Sequence, residues 1–232
     1  MKKIGILVFA AAIIFGVAIS GFFSFGKADY KFFNFSFDKK VKGSGNLVTE
    51  ARDLNDFTGV NVSSIFQVEI TAQQEFAVEV EADDNLLRLI KTEVHNGILH
   101  IEPIGRITSE NGLKVRIFAP DIDNIQASGA SKINLSGVKN EELRVDMGGA
   151  SKISVSGETA RLEVEVSGAS AADTENLRSE VANVNASGAS HVSVSAAAEL
   201  RADASGASRI VYSGSPKNIE KHTSGASSVR EK

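Results

Sequence analysis

The chain has 232 residues, 42% of them hydrophobic and 23% charged, with a formal net charge of −4 and no cysteine. That apolar fraction is globular and excludes wholesale disorder. The acidic balance argues against a general nucleic-acid binder, and the missing cysteines exclude disulfides, thiolate metal sites, cysteine nucleophiles and cysteine-linked lipids.

Met1-Lys2-Lys3 precedes an uncharged apolar run over residues 4–25. A basic start, an apolar core and a small-residue exit (Ala18-Ile19-Ser20, or the poorer Gly26-Lys27-Ala28) describe a cleaved export signal. The alternative is an uncleaved anchor, because a run of this length can span a bilayer. A buried helix of a soluble domain fits less well at this position. Lys27, Lys31, Lys39, Lys40 and Lys42 would draw the downstream side of an uncleaved helix toward the cytoplasm. The short Lys-Lys start nevertheless favours export. Residues 1–28 are therefore read as signal peptide or membrane anchor, and residues 29–45 as linker. In the linker, Phe32, Phe33, Phe35 and Phe37 interleave with polar residues, as in a first strand or an interfacial stretch. Gly43-Ser44-Gly45 then breaks regular structure.

Residues 46–120 read as an N-terminal β cap and first coils. Polar and apolar residues alternate over 57–62, 66–70, 77–81, 98–102 and 113–117, which predicts strands. Residues 83–92 predict one short helix, capped by Asp84 or Asn85. Asn96-Gly97 predicts a hairpin.

Residues 121–232 are a repeat. Ser-Gly-Ala-Ser recurs around Gly129, Gly168, Gly188, Gly206 and Gly225, and as Gly-Gly-Ala-Ser around Gly149. Successive glycines are 20, 19, 20, 18 and 19 residues apart, the signature of a solenoid. Four residues before the glycines stand Ile125, Val145, Val164, Val184, Ala202 and Lys221. Four after them stand Ile133, Ile153, Ala172, Val192, Ile210 and Val229. Apolar residues keep to even offsets, so each coil is built of strands with one buried face. The tetrapeptide is the arc between them. Glycine supplies a backbone conformation closed to side chains, and alanine suits a tight corner. The fold class expected is all-β: a right-handed parallel β-helix of coils about 19 residues long, with the N-terminal cap.

The outward columns support that stacking. Five before the glycines stand Asn124, Arg144, Glu163, Asn183, Arg201 and Glu220, which puts arginine beside glutamate. Three before stands an acidic or neutral column, and three after a mostly basic one containing Lys132, Lys152 and Arg209.

The ordered set of these features resembles the bacterial family described as putative auto-transporter adhesin, head GIN domain. The resemblance rests on the export signal, the strands over 57–70, Asp84-Asn85-Leu86-Leu87, Thr92-Glu93-Val94 with Asn96-Gly97-Ile98-Leu99, Ala119-Pro120-Asp121-Ile122 and the Ser-Gly-Ala-Ser copies. It covers roughly residues 46–228. It implies a β-helical fold outside the cytoplasm and carries over no catalytic residue.

Chemistry is sparse. No zinc-protease, nucleophile-elbow, phosphate-loop or dinucleotide fingerprint occurs. His95 and His100 share one hairpin and read as exposed histidines, with a metal pair as the alternative. Ser36-Phe37-Asp38-Lys39 matches Ser-x-x-Lys but falls in the linker. The serine column Ser131, Ser151, Ser170, Ser190, Ser208 and Ser227 is expected to bond arc backbone or water. At ladder spacing its hydroxyls are too far apart to bond one another. With Lys132, Lys152 and Arg209 it also forms the candidate ligand strip: the serine row as a flat polar surface for glycan, mineral or ice, and the basic column as a contact for anionic polysaccharide, with a solvated face as the plain alternative.

The functional expectation is an exported, non-enzymatic adhesion or envelope-binding module. It would act in the periplasm, at the outer membrane or on the cell surface, toward a polysaccharide or other surface polymer. No catalytic residue, cofactor, metal or nucleic-acid partner is expected, and membrane contact only through residues 4–25 if uncleaved. A β-helix carbohydrate-active enzyme is the first alternative, marked by a groove where several Asp, Glu, Arg or His converge. An inner-membrane-anchored periplasmic scaffold or regulator is the second.

Overall fold

The computed structural model describes residues 40–232. The expected signal or anchor, the interleaved phenylalanines and Ser36-Phe37-Asp38-Lys39 lie outside the described residues. Among the described residues no helix is long and apolar enough to cross a membrane.

Nine short strands come first: β1 (Val41–Lys42), β2 (Leu47–Arg52), β3 (Gly59–Val62), β4 (Gln67–Ala72), β5 (Ala77–Asp83), β6 (Ile90–His95), β7 (Ile98–Pro103), β8 (Ile107–Thr108) and β9 (Lys114–Ala119). The repeat half adds β10 (Asn124–Ala127) and four long strands, β11 (Lys132–Met147), β12 (Lys152–Val166), β13 (Ala171–Ala186) and β14 (His191–Ala204). The last three are β15 (Arg209–Gly214), β16 (Asn218–Thr223) and β17 (Ser228–Glu231).

β10–β17 stack in parallel. Ile125, Val145, Val164, Val184 and Ala202 succeed one another strand by strand, as do Ile133, Ile153, Ala172, Val192 and Ile210. All ten are buried. Burying each large aliphatic side chain contributes about 1.5–3 kcal/mol, and that term holds the coils on one another. The long strands turn a corner where their register slips, as between Leu135 and Val138 against β12. The result is the parallel β-solenoid that the even-offset pattern predicts, with one core cluster reaching from Phe57 to Tyr212.

The N-terminal part stacks out of sequence order. β3 lies between β7 and β10, and β4 between β9 and β11. Residues 98–119 therefore sit beneath 59–72 although they follow them. β5 runs antiparallel on β9, β2 on β5, and β6 on β7. Asn96 and Gly97 both take positive φ at the β6–β7 turn, as a tight hairpin requires.

Three expectations change here. Residues 83–92 hold only a 3-10 turn, Leu87–Leu89, which has no side-chain cap. Ile90, Thr92 and Val94 are β-branched and alternate with polar residues, so they pair as β6 against β7. The linker expected through residue 45 ends earlier. β1 pairs with β8, Ser44 Oγ donates to Asp84 Oδ1 (2.5 Å), and Gly45 N–H donates to the buried Asp83 Oδ1 (3.0 Å). Hydrogen bonds from Ser109, Asn111 and Gly45 hold the Asp83 carboxyl below the usual carboxylate range. The third change is the arc alanine, which points outward: Ala130, Ala150, Ala169, Ala189, Ala207 and Ala226 are all exposed.

The arc glycines meet two demands at once. Gly129, Gly149, Gly168, Gly188, Gly206 and Gly225 all have φ between 73° and 82°. A Cβ on Gly149 would lie 2.4 Å from the Gly129 carbonyl oxygen, and one on Gly168 2.4 Å from that of Gly149. Side chains are excluded both by the local backbone and by the coil beneath.

Gly149→Ser should therefore cost at least about 2 kcal/mol and lower the melting temperature by several degrees. Gly148→Ser, one residue earlier, should be nearly silent. Its nearest Cβ contact is an ordinary 3.7 Å to Ser167 Oγ, and other arcs already carry serine there. Equal melting temperatures for the two variants would overturn the arc assignment.

The last described coil is polar where earlier ones are apolar. Lys221, Thr223 and Glu231 stack on Ala202, Ala204 and Tyr212. Lys221 Nζ donates to Tyr212 Oη (2.7 Å) and lies 4.3 Å from the ring centroid. Charge along a strand edge opposes strand-to-strand association. Removing residues 214–232 should uncover Ala202, Ala204, Ile210 and Tyr212 and cause end-to-end association on size-exclusion chromatography. A shortened protein that keeps the intact oligomeric state would contradict the capping role.

Candidate functional site

The parity that builds the core also sorts the arc side chains. The serine after each alanine sits two residues past the glycine and turns inward. Ser131, Ser151, Ser170, Ser190 and Ser208 are buried, and Ser227 in the terminal coil is half-buried. Ser151 Oγ donates to the Gly148 carbonyl (3.1 Å) and Ser208 Oγ to that of Ser205 (2.8 Å). Ser227 Oγ does the same to the Ser224 carbonyl (2.9 Å). Ser131 Oγ also reaches Ser151 Oγ at 3.3 Å, closer than the ladder spacing alone would bring them. Ser151, Ser208 and Ser227 tie their arcs from inside, while Ser190 Oγ is buried without a partner, and in the candidate ligand strip only Lys132, Lys152 and Arg209 are exposed.

The hydroxyls at the surface belong to the other serine, the one before the glycine: Ser128, Ser167, Ser187, Ser205 and Ser224. Sequence reading passed over them, although their odd offset from the glycine was the available signal. Ser167, Ser187, Ser205 and Ser224 border a groove of about 470 Å³ that runs across the coils. Its other border is the column Asp146, Glu165, Asn185, Asp203 and His222. The same column continues below as Gln126 and Asn61, whose amides bond at 2.7 Å.

This groove gathers titratable groups, but in a row. Neighbouring strands set Asp146 beside Glu165, and Asp203 beside His222. The facing border is mostly hydroxyl, so the carboxyls line one side of the groove. Several members are already engaged. Arg144 contacts Glu163 (3.3 Å) and Glu165 (3.4 Å), Arg201 contacts Asp203 (3.5 Å), and His222 bonds Glu220 (2.8 Å). The His222 hydrogen bond, then the Arg201 charge, hold the Glu220 carboxyl below its usual range. The arrangement can hydrogen-bond a chain laid across the coils. It does not focus on one atom.

The basic column flanks the arc on its other side. Lys132 and Lys152 are in direct register, as are His191 and Arg209. At the β6–β7 hairpin, His95 bonds Glu93 (2.9 Å), and the His95 and His100 rings lie 6.0 Å apart between centroids. Among the described residues no three His, Asp or Glu side chains come together as a metal-holding group.

Ser208→Ala should cost about 1 kcal/mol in denaturant titrations, because it removes buried hydrogen bonds. Ser205→Ala should cost almost none. The reverse order would mean that the inner and outer serines had been exchanged.

Comparison with known structures supports the fold. A putative adhesin from Bacteroides fragilis NCTC 9343 superposes with a TM-score of 0.69 at 16% identity, covering 83% of this chain and 100% of that one. A putative adhesin from Parabacteroides merdae ATCC 43184 gives 0.56 at 16% identity, covering 83% and 99%. One from Parabacteroides distasonis ATCC 8503 gives 0.54 at 17%, covering 83% and 100%. At such identities the likeness concerns the fold alone. A search of curated proteins finds no match. The model of one family matches residues 56–216, more than half of the chain and almost all of the stacked coils. The chain belongs to the family described as putative auto-transporter adhesin, head GIN domain.

Proposed function

We propose that this chain is an exported, non-enzymatic adhesion module whose arc ridge and flanking columns grip a surface polymer, a glycan foremost. Residues 1–28 would direct export or hold the module at a membrane. The module would then work in the periplasm, at the outer membrane or on the cell surface. The observation that carries this reading is the row arrangement. Most coils repeat one outward hydroxyl, one acidic or amide group and one basic or neutral group, Gly148 and His222 being the departures. A rigid row suits a linear, repetitive partner better than a compact substrate.

Rigidity favours such a role. The arc is hydrogen-bonded from coil to coil, so little conformational freedom is lost when a polymer settles on it. Membership of an adhesin-like family points the same way.

A glycan array probed with residues 29–232 should show retention of a limited set of polysaccharides. Ala169→Trp, which stands a bulky ring on the exposed arc ridge, should weaken that retention. Bound glycans should keep their chain length on prolonged incubation. Release of new reducing ends would favour the carbohydrate-active enzyme instead.

A further inference from the structure

The two flanks of the arc carry opposite charge. On the side before the arc, two adjacent columns hold Asp146, Glu163, Glu165, Asp203 and Glu220 against Arg144, Arg201 and His222. On the side after it, the corresponding columns of β11–β17 hold Lys132, Lys152, His191, Arg209 and Arg230 against Asp173 alone.

Charges that meet in direct register elsewhere on the sheet are of opposite sign, as Arg144 with Glu163, Glu142 with Arg161 and Glu69 with Arg116, and the acidic pair Asp146 and Glu165 has Arg144 on Glu165. Arg144 reaches Glu163, Arg116 reaches Glu79 and Glu81 (3.0 and 3.1 Å), Lys114 reaches Glu81 (2.8 Å), and Lys91 reaches Glu93 (3.1 Å). Lys132 and Lys152 break that pattern. They stand in direct register on adjacent strands, both exposed, about 4.8 Å apart along the ladder. Among the described residues no carboxylate forms an ion pair with Lys132, Lys152 or Arg209. Like charges directly opposite in a ladder are destabilising. A local rule broken with no compensation inside the molecule marks a functional position. The compensation that the geometry leaves room for is an external anion.

We infer that the column Lys132, Lys152, His191 and Arg209 seats an acidic polysaccharide running along the solenoid axis. This rests on the adhesion reading and names the class of polymer. The column extends four ladder steps, about 19 Å, so one chain can meet both cationic pairs and pass Ala171 between them. The acidic flank across the arc repels anything wide. A duplex nucleic acid or an anionic bilayer lying over both flanks would be repelled by the acidic one, whereas a single polysaccharide chain on the basic column would not. The same acidic flank sets the side on which the polymer lands, because steering depends on the summed field.

The test uses residues 29–232, which contain the whole described core. Binding to dextran sulfate, polygalacturonate and neutral dextran is measured by biolayer interferometry. Wild type should bind at least one polyanion and weaken as salt rises. Lys132→Glu with Lys152→Glu should lower polyanion affinity at least tenfold. Glu163→Lys with Glu220→Lys, on the opposite flank, should not lower it. Lys152→Glu alone pairs with Lys132 and should leave the melting temperature equal or higher while binding falls. That combination separates a ligand column from a merely structural one. Retention of dextran sulfate alone would assign a sulfated polymer, and of polygalacturonate alone a carboxylated one; both support the inference. Polyanion binding indifferent to the lysine substitutions, or dextran bound equally well, would overturn it and leave the adhesion reading standing. Failure to bind any polysaccharide, on these probes and on the array, would remove both.

Discussion

The bond from each arc alanine N–H to the glycine carbonyl one coil below sets the geometry of the repeat half. These bonds measure 2.7–2.8 Å at Ala150, Ala169, Ala189, Ala207 and Ala226. They join each left-handed arc to its neighbour and so continue the strand ladder through the corner. A buried backbone polar group left unpaired costs about 1–3 kcal/mol, and the arc leaves few of them. Because the carbonyl approaches so closely, only glycine can follow it at the same height in the next coil. Repetition of the tetrapeptide is thus a consequence of stacking, and the period of the sequence is the perimeter of the coil.

Rigid stacking then transfers the sequence to the surface as straight columns. Inside, a column is filled by Val, Ile or Ala, and mismatches in size are shared between neighbours. Outside, each column is a row of charges or hydroxyls at ladder spacing. Such rows must be balanced along the stack, because adjacent strands cannot move apart to relieve repulsion. Arg144 and Glu163 satisfy this. Lys132 and Lys152 do not, since no carboxylate among the described residues forms an ion pair with either.

Much of this was legible in the sequence. The glycine period gave the coil, and the even-offset rule placed Ile125, Val145, Val164 and Val184 in the core. Carried two residues past the glycine, the same rule also buries Ser131 and its equivalents. Grouping them with the lysines as a surface strip set a visual repeat above a geometric one. The exposed serines before the glycines lay at odd offsets all along. The order of stacking in the N-terminal part was not legible. Nothing local in residues 98–119 says that they lie beneath 59–72, since that order is chosen by long-range pairing of β3 between β7 and β10. Residues 83–92 misled because charged and leucine-rich spacing suggests a helix, while Ile90, Thr92 and Val94 gain more by pairing.

The first arc separates the two demands made on glycine. Ser64 occupies the position beneath Gly129, and Ala130 N–H donates to its carbonyl (2.8 Å). Ser64 has a positive φ of 87° and yet carries a side chain. What differs is the coil below. Between β7 and β9 the chain leaves the arc path at residues 104–113, where β8 pairs with β1 instead. The bonds beneath this arc are made only at its shoulders, from Ser63 to Ile101 and from Gln67 to Leu113. The strained conformation is therefore tolerated by a small polar residue when the space beneath is free. It becomes exclusive to glycine only where another arc lies directly under it, as at Gly149 over Gly129. By the same reasoning Ile65 can stand where later arcs have alanine: that position faces outward, and its side chain is 49% exposed. Alanine in the later arcs is thus not imposed by packing, and a bulkier residue there would meet only solvent or whatever lies along the ridge.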